Sequence, residues 1–112
     1  MNSTDLYSTV LSNLSDLRNF MLSQDWIDAV SQAPPAVQKQ AFNASFEVQH
    51  AINVLSNQIL SDIADEMAQQ DAALIKATNS LSDSLANFAK VTAVLNSINK
   101  LLGVIAQVVS LK

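Results

Sequence analysis

Apolar residues recur at helical spacing along nearly the whole chain. Leu6, Val10, Leu14, Leu17 and Met21 follow one another at intervals of 4, 4, 3 and 4, which is one face of a helix. Leu11, Phe20, Leu22, Ile27 and Val30 widen that face, and Trp26 is expected to pack near its end. Ser3 or Thr4 supplies the N-cap, and Asp5 then sits in the first turn, where the helix dipole favours an acid. The hard break is Ala33-Pro34-Pro35. Each proline lacks an N–H and restricts the residue before it, so a first helix over 4–32 ends there and Pro35 opens the next.

The second helix, over 35–69, carries Val37, Ala41, Ala44, Val48, Ile52, Leu55, Ile59, Ile63 and Met67 on its inner face. Phe42 and Phe46 add apolar bulk near its start. Glu47, His50, Asn57, Ser61 and Asp65 fall outward. The chain is most polar at Gln69-Gln70-Asp71, where Asp71 can cap a third helix over 71–111. Ser80, with Asp83 three residues on, is a second candidate start of capping-box type.

A longer pattern crosses this point. Leu60, Met67, Leu74, Leu81, Phe88, Leu95, Leu102 and Val109 stand seven apart, as along the seam of a coiled coil. The second seam position drifts from Leu85 to Val91, Ile98 and Ile105, which suits a bundle with wide faces better than a two-stranded zipper. The unbroken phase permits either a turn near residue 70 or one continuous helix of about 90–100 Å at ~1.5 Å per residue. The turn buries more apolar surface within one chain. The expectation is a single all-α domain over 1–112, with long antiparallel helices in a helical hairpin or three-helix bundle and coiled-coil-like packing.

The last helix is unusually apolar. At about 100° per residue, Val91, Val94, Leu95, Ile98, Leu102, Ile105 and Val109 fill an arc of about 100°. Leu101, Val104, Val108 and Leu111 extend it to about 200°, roughly twice what contact with one neighbour needs. Val94, Leu101, Val104, Val108 and Leu111 therefore mark a surplus apolar face. It is covered by further helices of the chain, by a second copy, or by lipid.

Composition strengthens the helical reading. The chain has one Gly and two Pro in 112 residues, far fewer turn formers than a sandwich or barrel uses. Charged residues are 14% of the chain, against about 25% in an average domain. Residues 1–71 hold nine acids and two bases, whereas residues 72–112 hold four lysines and one acid. The opposed signs favour contact between the halves, within a chain or between chains. The absence of Cys excludes disulfides and thiolate metal sites. The N-terminus lacks a basic region before its apolar residues, and no apolar run reaches the ~18 residues of a membrane span. A cleavable signal peptide is not expected. The location is left open between the cytoplasm and export by a route that leaves the N-terminus intact.

Little in the sequence points to chemistry. Glu47 and His50 form a single Glu-x-x-His, a spacing that contributes to paired-iron sites in helical bundles when it occurs twice. Here it flanks the buried face and reads as a solvated pair. Asp62, Asp65 and Glu66 share one helical turn, but calcium sites draw varied oxygen ligands from loops, so an acidic solvated face is the better reading. One His and no Cys leave the scattered serines without a base, and the only glycine, Gly103, makes no phosphate loop. Six basic residues in an acidic chain make no nucleic-acid stripe. Tyr7 and Trp26 read as packing residues rather than anchors, and Met21 and Met67 as core fillers.

The expectation is a non-enzymatic structural or interaction protein, with no catalytic, metal or cofactor residues. It associates with itself or another helical protein through the 60–109 seam, or forms a subunit of a larger assembly. The alternative is a membrane- or lipid-surface-active protein, of pore-forming or lipid-coat type, using the C-terminal helix.

Overall fold

The computed structural model describes residues 3–86 and 90–109. Among these the regular structure is entirely helical: α1 (Ser3–Met21), α2 (Gln24–Ser31), α3 (Pro35–Ser56), α4 (Leu60–Gln69), α5 (Asp71–Ala86) and α6 (Val91–Ile105). The breaks at Pro34–Pro35 and at Gln70 fall where the sequence places them. Three others do not coincide with Gly or Pro, and they divide each of the three long helices in two.

The first is at Leu22–Ser23. The Ser23 hydroxyl donates to the Phe20 carbonyl at 2.6 Å and accepts from the Trp26 amide at 3.3 Å. One side chain thus ends α1 and N-caps α2, using orphan groups on both sides of the corner. The second is at Asn57–Ile59. Asn57 Nδ2 donates to the Asn53 carbonyl at 2.7 Å, and the Gln58 amide folds back to the Leu55 carbonyl at 3.1 Å. Tyr7 Oη donates to that same Leu55 carbonyl at 2.7 Å, so α1 holds the end of α3. The third is at Lys90. Lys90 is extended (φ −140°, ψ 137°) immediately before α6. No helix starts at Ser80, which lies within α5. The last helix ends at Ile105 rather than 111. Turn-type bonds, such as Val109 N–H to the Ile105 carbonyl at 2.9 Å, carry the chain a few residues further.

Four helices surround the core in the order α1, α3, α6, α5. Each touches the next, while the diagonal pairs α1/α6 and α3/α5 do not meet among the described residues. α1 and α3 run antiparallel, with Tyr7 beside Leu55 and Met21 beside Ala41. α5 and α6 do the same, with Ser84 and Ser97 bonded at 2.8 Å and Ala73 near Gln107. Because α3 and α5 are diagonal, the chain must cross from one to the other. α4 makes that crossing, laying Ile63 and Met67 against α1. The bundle measures 43 × 26 × 18 Å, too short for a continuous rod through residue 70.

The predicted faces of α1 and α3 are buried, with Leu14, Leu17 and Val48 fully inside. Leu22 and Ile27, expected to widen the first face, are exposed because the chain turns at Leu22–Ser23, and Ile59 is a further correction. Expected on the inner face, it is 65% exposed, because the helix has already ended at Asn57. Among the described residues no buried side-chain polar atom lacks a hydrogen-bond partner. The inward hydroxyls of Thr78 and Ser97 find the Ile75 carbonyl and Ser84.

Candidate interaction surface

The groups that suggested chemistry lie on the surface. Glu47, His50, Asp62, Asp65 and Glu66 are all exposed, and among the described residues no group of three or more His, Asp or Glu is arranged to hold a metal ion. Trp26 is buried with its ring centroid 5.6 Å from that of Phe20, and Tyr7 holds Leu55, so both aromatics pack within the chain.

The seven-residue seam lies mostly in the interior. Met67, Leu74, Leu81, Leu95, Leu102 and Val109 are buried among this chain's own helices, and Leu60 is half-buried. Phe88 falls outside the described residues. The surplus face of the last helix is covered in the same way. Val94, Leu101 and Val108 are buried and Val104 is half-buried, while Leu111 falls outside the described residues. The wide apolar arc is explained by position, since α6 sits against α5 and α3, with α2 at one edge. No helix is long and apolar enough to cross a membrane among the described residues.

Unburied apolar surface lies elsewhere. Phe42 and Phe46 are 64% and 63% exposed, and their rings meet edge to face with centroids 5.0 Å apart. The inner face of α3 is Ala41, Ala44, Val48, Ala51 and Leu55. At about 100° per residue, Phe46 lies roughly opposite the centre of that face, and Phe42 is about 40° from Phe46. Both rings therefore project away from the core. The same face continues into a groove between α2 and α3. Buried Trp26 and Ala41 form its floor, with Ile27 and Phe42 at its sides. Gln38 closes one end by donating to the Ser31 and Ala33 carbonyls at 3.2 and 2.9 Å. Leu22, on the α1–α2 turn, adds another exposed apolar side chain.

Exposed Lys39 shares the side of α3 that carries Phe42 and Phe46, whereas Asp25 and Asp28 lie, at about 100° per residue, on the side of α2 away from the groove. Arg18 on α1 donates to Gln49 Oε1 at 3.4 Å. The face was legible in principle, because two phenylalanines four apart share a side of the helix on which Ala41, Ala44 and Val48 do not lie. Counting apolar residues without phase conceals it. No protein family model, curated protein or solved structure matches this chain.

Proposed function

We propose that the protein is a non-enzymatic interaction protein that self-associates, alone or within a larger helical assembly, by helix-on-helix packing of its α2–α3 face. The observation that carries this reading is the exposed Phe42–Phe46 pair on the side of α3 away from the core. Burying an exposed phenylalanine is worth about 1.5–3 kcal/mol, and edge-to-face aromatic contacts add to that. Two such rings beside a partly apolar groove have the anchor-and-pocket form of binding hot spots. The seam is less suited to the role in the folded bundle, because association through its buried positions requires the helices to part. Lipid contact through the last helix carries the same requirement.

Light scattering across a concentration series, with and without liposomes, tests the reading. Concentration-dependent association that Phe42→Ser/Phe46→Ser abolishes supports it. A chain that stays monomeric, or that floats with liposomes and forms no oligomer in solution, sinks it.

A further inference from the structure

A second concave surface lies between α3 and α6, and it is polar where the α2–α3 groove is apolar. Gln40, Asn43 and Glu47 on α3 and Thr92, Asn96 and Asn99 on α6 line a cleft of about 300 Å³. At about 100° per residue, each trio falls within an arc of about 60° on one flank of its helix, beside the buried face. Buried Ala44 and Leu95 form the floor, and the alanine, with only a methyl group, leaves that floor low. Six of the eight lining residues thus carry hydrogen-bonding side chains. Among the described residues none of the six side chains is bonded to another group of the chain. Asn13, Gln38 and Asn57, by contrast, are tied to backbone carbonyls. A concave shape, an apolar floor and a few convergent polar groups able to bond outward are the features of a small-molecule site.

The lining selects its ligand by charge. It contains no Lys, Arg or His, so nothing in it attracts a phosphate or a carboxylate. Lys39 and Lys100 adjoin the cleft in sequence but do not line it. The one ionisable group is the Glu47 carboxylate, which takes a positive partner. The carboxamides and the Thr92 hydroxyl both donate and accept, which suits hydroxyl or amide groups. No aromatic ring lines the cleft, so a nucleobase finds no stacking platform. We propose that the α3–α6 cleft binds a small aliphatic amine bearing a hydroxyl or amide group, with Glu47 holding the ammonium and the carboxamides of both helices holding the other polar end. The aliphatic segment between them rests on Ala44 and Leu95 and leaves water. This flank of α3 differs from the one carrying Phe42 and Phe46, so the site does not depend on the self-association proposed above.

Amide NMR of the full chain, titrated with aminopentanol, tests the site. Pentanediol and hydroxypentanoate serve as the neutral and acidic counterparts of the same length. Aminopentanol is expected to bind about tenfold more tightly than pentanediol, with shifts concentrated at residues 40–47 and 92–99, and hydroxypentanoate to bind most weakly. Glu47→Gln keeps the shape and removes the charge, so it should erase the preference for the amine. Asp65→Asn makes the same change of charge on α4 and should leave that preference intact. Both positions are exposed, so both variants should keep the helical content of the wild type by circular dichroism. The proposal is overturned by the absence of a saturable shift at the cleft, or by a diol that binds as tightly as the amine. Equal losses in Glu47→Gln and Asp65→Asn also overturn it, because they would show only general attraction to an acidic chain.

Discussion

α6 and the outer face of α3 are both rich in apolar side chains, and they have opposite fates. α6 buries Val91, Val94, Leu95, Ile98, Leu101, Leu102 and Ile105, and its neighbours α5 and α3 come from the same chain. α3 turns small residues inward, Ala41, Ala44 and Ala51, and leaves Phe42 and Phe46 outside. Hydropathy alone ranks α6 as the more conspicuous surface. The direction of the side chains decides otherwise. Both helices have neighbours on two sides in the ring, and α6 meets its neighbours with a wide arc of large apolar residues. A helix whose inner face is already packed with alanines needs no more bulk, so large apolar residues elsewhere on it are surplus.

That contrast can be broken by substitution. The largest effect is expected in α6, where Leu101 is fully buried. Leu101→Ala removes a core side chain between neighbouring helices and should cost about 2–5 kcal/mol, read by urea denaturation. A loss under about 1 kcal/mol would mean that α6 is not central. Ser23→Ala should cost about 1–2 kcal/mol, because the hydroxyl ends α1 and caps α2 together. An unchanged melting temperature would show that the corner forms without it. Tyr7→Phe removes only the bond to the Leu55 carbonyl and should cost about 1 kcal/mol, with hydrogen exchange rising at the C-terminal turn of α3. Gly103→Ala should stabilise by about 0.5–1 kcal/mol. Gly103 is exposed within α6, and an added Cβ meets nothing within 4 Å. Destabilisation there would mean that another surface lies against α6.

The same contrast explains what was legible in the sequence. Helical spacing gave the helix faces of α1, α3 and α6, and proline chemistry gave the break at 34–35. Gln70 was readable as the most polar point of the chain. The corners at Ser23 and Asn57 were not, because neither uses Gly or Pro. Each depends on a side chain satisfying backbone groups across the turn, as Ser23 does for Phe20 and Trp26. Six described seam positions are buried, but the heptad does not say whose helices cover them. Here α4, α5 and α6 lie in one compact bundle, and the regular spacing records contact within a chain as readily as between chains. The exposed Phe42–Phe46 pair was hidden by the opposite error, since its residues were counted as bulk and not given a direction.

Sedimentation equilibrium of the wild-type chain beside Phe42→Ser/Phe46→Ser sets the two regions against each other in one experiment. Neither ring packs in the core, so the double variant should keep the helical content and unfolding midpoint of the wild type to within about 0.5 kcal/mol. The wild type should approach twice its 12.1 kDa chain mass as concentration rises, and the variant should remain at one. A variant that still dimerises, or a wild type that stays at one chain mass, would contradict the assignment of the outer face of α3 to contact with a second copy, and a variant that unfolds would contradict the placement of both rings outside the core.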